Sequence, residues 1–301
     1  PNGLPAKEIL ESEKIFALEE DVARKQDIRP LRIAILNLMP KKIETETQIL
    51  RLISKSPLQV DIDFMKVSNH VSKNTSADHL LKFYDDFSML KENHYDGLII
   101  TGAPVEHLEY EDVDYWQELC TIMEWSKSHV YSTVHICWGA QAGLYYHYGI
   151  QKHLLPHKVF GIFPQLLCDE YNFLTNGFDE VHMTPHSRHT AIDEEALAKV
   201  KELEVLSRSN TTGSNIIATR DFRRIFIMGH LEYGKDTLAQ EYFRDLNQGK
   251  EIQIPYNYFP EDDPSKEPLF KWRAHANLLY RNWLNYVYQM TPFDLKELTT
   301  G

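Results

Sequence analysis

Three residues that together can perform nucleophilic catalysis lie in two separate parts of the chain. Cys137 stands where the apolar run 130–140 ends and a helix-prone segment begins. His230 and Glu232 follow about 90 residues later, at the end of the apolar segment RIFIMGH. A thiolate nucleophile needs a base, and the base needs a group that orients it. We therefore predict Cys137 as the nucleophile, His230 as the general base and Glu232 as its orienting carboxylate.

The position of Cys137 between a strand and a helix supports this chemistry. A helix N-terminus favours the thiolate form, and the free N–H groups that follow the cysteine can bind an oxyanion. His230 and Glu232 are two apart on a predicted extended segment, so we expect their side chains on one face. The competing interpretation of Cys137 is a buried core thiol, and we assign that role to Cys120 and Cys168.

Composition excludes several classes of protein. The 301 residues carry 32 basic and 44 acidic side chains and a net charge of −12, which argues against nucleic acid as the main partner. Three widely spaced cysteines and the lack of a secretory apolar segment near Pro1 predict free thiols and a cytoplasmic location. No apolar run approaches the roughly 20 residues of a membrane span, so we expect no membrane partner.

The elements that must position these residues alternate in type. Predicted strands at 31–40, 60–67, 97–104 and 130–140 are separated by helix-prone segments, including 77–91 and 113–128. This pattern predicts an α/β fold with a mostly parallel sheet and helices on both faces. From Lys158 onward the strands are closely spaced, which predicts an antiparallel extension and a last core strand. The segment RIFIMGH ends that series.

We predict a single domain over residues 1–301. It comprises an N-terminal extension (1–30), an α/β core (31–250), and a loop with a C-terminal helix (251–301). The stretch 8–24 is amphipathic and predicts a helix packed on the outside. The aromatic-rich C-terminal helix has two interpretations, core packing or a homodimer contact, and core packing is the simpler one.

The order Cys137, then His230-x-Glu232, on such a sheet resembles the class I glutamine amidotransferase-like (flavodoxin-like) fold. Within it, the chain resembles the homoserine O-acyltransferase family of methionine biosynthesis over nearly its whole length. Seven segments carry the likeness: NLMPKKIETETQ (37–48), TGAPVEHLEYEDVDYW (101–116), HICWGAQAG (135–143), KVFGIFP (158–164), PHSRHT (185–190), GHLEY (229–233) and EYFRD (241–245).

The resemblance implies roles for further residues. Cys137, His230 and Glu232 match the acyl-carrying nucleophile, the base and its orienting residue. Positions that hold the amino-acid substrate match Lys158, Ser187 and Arg244, and a guanidinium suits the carboxylate of homoserine. Lys42 matches a lysine close to the developing oxyanion. We expect backbone N–H groups near Trp138 and in the turn Gly102–Ala103 to complete the oxyanion site.

Glu106 stands where the resemblance separates acetyl-CoA users, which carry glutamate, from succinyl-CoA users, which carry glycine. The sequence therefore implies transfer of acetyl from acetyl-CoA to the γ-hydroxyl of L-homoserine, with acetyl-CoA as co-substrate and no resident cofactor. A carboxylate here would also repel the distal carboxylate of a succinyl group. Succinyl transfer is the alternative, and an amidotransferase-type glutaminase the remoter one, disfavoured because His135 replaces the glycine usual two places before the nucleophile.

Two other interpretations remain open at this stage. One is a non-enzymatic redox or binding protein that uses Cys137 only as an oxidisable thiol. The other is a metal enzyme, for which the segment PHSRH offers His186 and His189. No acidic or cysteine partner stands at ligand spacing from these histidines along the chain, so we expect no metal ion.

Overall fold

A computed structural model describes residues 3–12, 29–68, 75–169 and 172–298. Within these residues the strands form one ten-stranded sheet in the order β3-β2-β1-β4-β5-β10-β9-β8-β6-β7. The strands are β1 (Leu31–Leu36), β2 (Val60–Lys66), β3 (Tyr84–Asp86), β4 (Tyr95–Ile100), β5 (Val130–Ile136), β6 (Lys152–Leu167), β7 (Val181–Ile192), β8 (Leu203–Ser209), β9 (Gly213–Thr219) and β10 (Arg224–Ile227).

The helices fill the connections between these strands. They are α1 (Pro5–Ser12), α2 (Lys42–Ile53), α3 (Ala77–Phe83), α4 (Phe87–Leu90), α5 (Trp116–His129), α6 (Trp138–Tyr148), α7 (Glu194–Leu197), α8 (Thr237–Asn247) and α9 (Arg273–Met290). Short 3₁₀ turns occupy Tyr110–Asp112, Pro260–Asp262 and Leu295–Glu297. In the described part of the chain, no helix combines the length and the apolar character that a membrane crossing requires.

The predicted division of the sheet is confirmed. Strands β3, β2, β1, β4, β5 and β10 run parallel, whereas β9, β8, β6 and β7 pair antiparallel. β10 joins the two halves, because it pairs parallel with β5 and antiparallel with β9. In an open parallel sheet a ligand binds at the carboxyl ends of the strands, and here β5 and β10 end side by side.

Helices cover both faces of the parallel half, as predicted. Side chains alternate along β1, so Ile33 and Ile35 pack into one core with α2 and α9. Ala34 and Leu36 pack into the other core, which contains α5 and part of α6. Strands β1, β4 and β5 are therefore buried on both sides, which explains why they read as continuous apolar runs, whereas β2 alternates and is partly exposed.

The C-terminal helix and the N-terminal segment both pack against the core. Trp272, Tyr280 and Trp283 are almost fully buried, which favours the core interpretation of the aromatic residues. α1 buries Ala6 and Leu10 against the main core and exposes most of its other residues, as expected of an amphipathic helix packed on the outside. The rest of the predicted helix at 8–24, from residue 13 onward, lies outside the described residues.

Several predicted boundaries differ from the structure. The segment 77–91 is not one helix, because it is interrupted at Tyr84, which pairs with Phe64 of β2 and whose hydroxyl donates to Glu46 at 2.6 Å. Burial of that hydroxyl with its carboxylate partner outweighs the local helical propensity. β6 also begins six residues before Lys158, and β10 ends at Ile227, before the predicted His-x-Glu pair.

Candidate active site

The predicted nucleophile, Cys137, occupies a strained turn between β5 and α6. Cys137 has φ 50° and ψ −113°, a left-handed conformation that is costly for a residue with a side chain. Its N–H donates to the carbonyl of Ile227 at 2.7 Å, which ties the turn to the end of β10. Gly139 follows where a Cβ would lie 2.6 Å from the carbonyl oxygen of Thr101. Glycine thus allows α6 to start directly behind the end of β4.

His230 lies in the loop after β10 and is held from several sides. Its N–H donates to the carbonyl of Pro185 at 2.8 Å, which joins the loop to β7. Tyr233 stacks on the imidazole, with ring centroids 4.1 Å apart and planes at 13°. The carbonyl of Tyr233 in turn accepts from Trp272 Nε1 at 3.0 Å. The residue whose ring lies above the base is therefore anchored to Trp272, which immediately precedes α9.

Cys137, His230 and Glu232 meet as predicted, although the local geometry differs. The prediction that His230 and Glu232 share one face of an extended segment was wrong, because they lie in a turn closed by Tyr233 N–H to the carbonyl of His230 at 3.2 Å. Nδ1 of His230 is 2.7 Å from Oε1 of Glu232. The imidazole also forms a hydrogen bond with the Cys137 side chain.

The electrostatics of this trio favour an imidazolium. Burial opposes the charged ring, but the negative charges of Cys137 and Glu232, together with their hydrogen bonds, raise the pKa of His230 well above its usual value. Each partner thus stabilises the charge of the next, which is the arrangement that activates a cysteine nucleophile.

The turn Gly102–Ala103 lies over the nucleophile. A Cβ placed on Gly102 would stand 3.5 Å from both Cys137 Cβ and His230 Cε1. Thr101 secures the turn, since its Oγ1 accepts from Leu38 N–H at 2.8 Å and donates to the carbonyl of Gly102 at 3.1 Å. Trp138 is the first residue of α6, where N–H groups lack intrahelical acceptors. The predicted oxyanion groups therefore flank the thiol.

Lys42 differs from an ordinary surface lysine. It begins α2, is buried, and its Nζ donates to the carbonyl oxygens of Asn37 at 2.6 Å and Met39 at 3.4 Å. Burial lowers the pKa of Lys42 to about 8, although Glu46 opposes this shift. These two hydrogen bonds use two of the three N–H donors of the Lys42 ammonium, so one donor is left for an oxyanion.

The three predicted substrate residues converge on one carboxylate that the sequence analysis did not single out. Glu241 Oε1 lies 2.5 Å from Lys158 Nζ and 3.9 Å from Arg244 Nη2, and it accepts from Ser187 Oγ at 2.7 Å. Arg244 itself pairs with Asp245, at 2.8 Å from Nε and 3.0 Å from Nη2. We name Lys158, Ser187, Glu241 and Arg244 the substrate cluster.

The substrate cluster adjoins the trio, because charges from both groups reach the same residue, Tyr233. The hydroxyl of Tyr233 is buried, and its pKa is raised by that burial and further by the charges of Glu241, Glu232 and Cys137. The ring that stacks on His230 therefore stands between the base and the substrate cluster. Glu241 is the first residue of EYFRD, one of the segments that carry the family resemblance. A carboxylate in that segment was the sequence signal that could have identified Glu241 as a site residue.

Glu106 lies beside β7. Its Oε2 accepts from the N–H of His189 at 2.8 Å and from Thr190 Oγ1 at 3.3 Å. Arg188, between Ser187 and His189, turns to the other face of the strand, where its guanidinium is buried and donates to the carbonyls of Thr190 and Thr212. Burial lowers the pKa of Arg188, and the negative charges of Cys137 and Glu106 oppose that shift.

Arg188 is a second residue that the sequence analysis missed. Over the described ranges no carboxylate pairs with its guanidinium, so it adds positive charge beneath the nucleophile and Glu106. It lies inside the matched segment PHSRHT, but nothing in the sequence pattern indicated that this arginine would be buried. Tyr233 and Trp272 were missed for a similar reason, since aromatic residues ordinarily signal only core packing.

The architecture resembles solved glutamine amidotransferases. A glutamine amidotransferase from Thermotoga maritima superposes with a TM-score of 0.57 at 12% identity, covering 86% of this chain and 99% of that one. A glutamine amidotransferase from Methylobacillus flagellatus gives a TM-score of 0.54 at 12% identity over 86% and 96% of the two chains. At these identities the likeness establishes the fold, a class I glutamine amidotransferase-like α/β fold.

Sequence relatives are much closer. A Bifidobacterium adolescentis protein named homoserine O-acetyltransferase is 60% identical over 99% of this chain and 87% of its own. An Acetivibrio thermocellus protein with the same name is 57% identical over 99% of this chain and 98% of its own. The family model described as homoserine O-succinyltransferase matches residues 1–293. The chain therefore belongs to the homoserine O-succinyltransferase family, an acyltransferase family.

Proposed function

We propose that this protein transfers the acetyl group of acetyl-CoA to the γ-hydroxyl of L-homoserine through a thioester on Cys137. The observation that carries the proposal is the pairing of two features in one site. A strained cysteine is hydrogen-bonded to a histidine–glutamate pair, and a cluster with charges of both signs adjoins it. The relatives named homoserine O-acetyltransferase support it.

The first half of the reaction uses the trio and the oxyanion groups, without the substrate cluster. The Cys137 thiolate attacks the thioester carbonyl of acetyl-CoA, the bond from that carbonyl carbon to the CoA sulfur breaks, and CoA leaves with the proton of the His230 imidazolium. An acetyl group then remains on the Cys137 sulfur. The N–H groups near Trp138 and Gly102–Ala103 stand where they can stabilise the oxyanion, and the resemblance to the family assigns Lys42 a supporting positive charge.

The second half brings homoserine to the acetylated cysteine. His230, now neutral, takes the proton of the γ-hydroxyl while that oxygen attacks the acetyl carbonyl. The bond from carbon to the Cys137 sulfur breaks, O-acetylhomoserine leaves, and the thiolate–imidazolium pair returns. Glu232 stabilises the imidazolium each time it forms, because Oε1 of its carboxylate accepts a hydrogen bond from Nδ1–H of His230 at 2.7 Å.

The substrate cluster matches the two charges of an amino acid. Glu241 provides a carboxylate for the ammonium group of homoserine, and Ser187 and Lys158 hold that carboxylate in place. Arg244 has the planar guanidinium that grips a carboxylate, and it is half exposed, so a ligand can reach it. Homoserine would thus exchange the contacts within the cluster for contacts with itself.

Glu106 supports acetyl over succinyl. Its carboxylate is fixed by the backbone of β7 and by Thr190, so it cannot swing away without losing both hydrogen bonds. A succinyl group would bring a second carboxylate toward this fixed charge, and like charges in a poorly solvated site repel strongly. The name of the family refers to succinyl, so succinyl-CoA is the alternative donor.

The proposal needs no resident cofactor, since acetyl-CoA is consumed as a substrate. It places the enzyme in the cytoplasm, where thiols stay reduced. Three free cysteines agree with this: Cys137 is buried, Cys168 is exposed and Cys120 lies between. The partners that we propose are the two small molecules, and gel filtration of the purified protein will tell a monomer from a homodimer.

Intact mass spectrometry tests the donor and the nucleophile together. The protein is incubated separately with acetyl-CoA and with succinyl-CoA, weighed before and after addition of homoserine, and digested to locate the adduct. We expect an acetyl adduct on Cys137 that homoserine discharges. A succinyl adduct alone would overturn the donor assignment, and glutamine hydrolysis without any adduct exchange to homoserine would favour the glutaminase alternative.

Replacing the fixed carboxylate tests donor choice directly. In Glu106→Gly the like charge is gone, so we expect the ratio of acetyl to succinyl transfer to fall by at least about tenfold, the size that a modest change in binding free energy produces. Glu109→Gly in the same loop, at an exposed acidic position, is the matched control. An unchanged ratio in Glu106→Gly would remove Glu106 from donor selection.

A further inference from the structure

Two histidines and a glutamate meet beside the acyl-donor face of the site. Glu106, His107 and His189 each offer a ligand atom, and these atoms all lie within 4.8 Å of one another. The imidazole rings of His107 and His189 have centroids 4.8 Å apart. His189 comes from β7, some 80 residues after the other two, so the group exists only in the folded chain.

The main chain that carries these ligands is held in place. Lys152 Nζ donates to the carbonyls of Glu106 at 3.1 Å and Leu108 at 2.8 Å, on both sides of His107. The same ammonium lies 5.1 Å from the centroid of the Tyr110 ring. His189 lies in β7 between Arg188 and Thr190, which pair with Val159 and Leu154 of β6. A site preformed in this way loses little side-chain and loop freedom when an ion binds.

The glutamate is also oriented. Its Oε2 accepts from the N–H of His189 and from Thr190 Oγ1, which leaves Oε1 as the ligand atom. The predicted alternative ligand, His186, faces away, because it is fully buried and lies 3.3 Å from the amide of Gln165. Along the chain no acidic residue stands at ligand spacing from His189, but the fold brings Glu106 beside it from the loop after β4.

We propose that Glu106, His107 and His189 form a binding site for Zn²⁺. Two imidazole nitrogens and one carboxylate oxygen are a donor set that suits zinc, with water as the fourth ligand, and they disfavour Mg²⁺ and Ca²⁺, which require oxygen donors. The ligands need to move by only about 1 Å to reach the spacing around a tetrahedral ion.

Zinc at this position inhibits acyl transfer. Ser187 and His189 project from the same face of β7, so the ion would lie next to the substrate cluster. It would also cover Glu106, the residue that we assign to donor choice. This consequence rests on the proposed function, whereas binding of the metal does not.

The full chain is first treated with a chelator to remove bound metal. Its affinity for Zn²⁺ alone is then measured by competition with a chromophoric zinc indicator, which tests the site. We expect His107→Ala to weaken binding by at least about tenfold, since even residues that only support a metal ligand contribute that much. His153→Ala, at an exposed histidine outside the group, should bind as the unaltered protein does. Equal affinities in the two variants would overturn the proposal.

A thiolate beside a histidine can also bind zinc, so the nucleophile must be tested separately. Cys137→Ser should retain the site, with affinity unchanged within about twofold. Loss of binding in Cys137→Ser, with none in His107→Ala, would place the ion on the nucleophile and overturn the proposal. Because no substrate is present, this result does not depend on whether the protein is an acetyltransferase.

Activity provides the second measurement. His107 takes no part in the proposed reaction, so His107→Ala should keep its basal rate and lose at least about tenfold in sensitivity to Zn²⁺. Inhibition with equal sensitivity in the variant would show that the ion acts elsewhere.

Discussion

The catalytic trio and the substrate cluster adjoin each other, yet they are built differently. Cys137, His230 and Glu232 are 6%, 3% and 7% exposed and are joined to one another by hydrogen bonds. In the substrate cluster, Glu241 is 16% and Arg244 48% exposed. The trio comes from the ends of parallel strands, whereas the substrate cluster comes from β6, β7 and α8 in the antiparallel half and beyond.

This difference indicates that the trio is preorganised for chemistry, whereas the substrate cluster must rearrange to recognise its ligand. In the trio the imidazolium form of His230 is stabilised without any substrate, because Cys137 and Glu232 lie beside the ring and raise its pKa. The substrate cluster compensates its charges internally too, with Glu241 bound by Lys158 and Ser187, but those contacts must be exchanged for contacts with the substrate. Changes in the trio should therefore affect both half-reactions, and changes in the substrate cluster only the second.

Removal of the nucleophile should have the largest effect. In Cys137→Ser we expect no thioester and a loss of acyl transfer of roughly 10⁴-fold or more, as found when a nucleophile is removed from a catalytic triad. Initial rates and intact mass measure the two outcomes. Cys168→Ser, at an exposed thiol, is the control and should behave normally. Substantial turnover in Cys137→Ser would mean that no covalent intermediate is needed.

Glu232→Gln should have the next largest effect. It keeps the side-chain size and removes a charge that raises the pKa of His230. We expect acyl transfer to fall roughly 10²- to 10⁴-fold, the range for impaired acid–base catalysis. The pKa of His230 should also fall, so the rate of thioester formation should begin to decline at a lower pH than in the wild type. A pH profile that keeps its shape would show that Glu232 does not set this protonation.

The stabilising effect of Glu232 has a defined pH dependence. The folded pKa of His230 lies above the usual value of 6.5, so the contribution to the free energy of unfolding is fully present below pH 6.5. It is lost as the pH rises through the folded pKa. Urea unfolding at several pH values should therefore show the difference between wild type and Glu232→Gln shrinking under alkaline conditions. Growth of that difference with pH would contradict the pairing.

Glu241→Gln tests the other side of the comparison. Loss of a charged hydrogen-bond partner should raise the KM for homoserine roughly tenfold to hundredfold. Thioester formation from acetyl-CoA should stay unchanged, because it needs only the trio and the oxyanion groups. The matched control is Glu267→Gln, whose carboxylate forms an exposed ion pair with Lys235 at 2.9 Å. Equal losses in both half-reactions would show that Glu241 supports the trio instead.

The smallest effect is expected from two buried tryptophans, of which only Trp272 contacts the residue stacked on His230. Trp272 Nε1 donates to the carbonyl of Tyr233, above the base, and Trp283 Nε1 donates to Ser132 Oγ at 3.0 Å. Either change to phenylalanine should cost about 1–3 kcal/mol in the free energy of unfolding, since a buried acceptor loses its donor. Only Trp272→Phe should shift the pH profile, by releasing the ring stacked on His230. Identical profiles would make Trp272 purely structural.

Much of the fold could be predicted because the local signals agree with the global structure. Period-two and continuous apolar runs identified the strands, and the closer spacing after Lys158 identified the antiparallel half. The prediction failed at Tyr84, where a hydroxyl buried against Glu46 imposes a short strand on a helix-prone segment. Such a contact joins distant parts of the chain, so no local pattern can reveal it.

By itself the sequence determined the residue types, their order and their place at the ends of strands, which is enough to indicate a cysteine nucleophile with a histidine base. The tertiary structure decided which charges meet. Lys158, Ser187 and Arg244 surround Glu241, and His189 lies beside Glu106 and His107, although these partners come from separate parts of the sequence. The physical reason is that Coulomb and hydrogen-bond energies depend on distances of a few ångströms, which only packing of the chain can set.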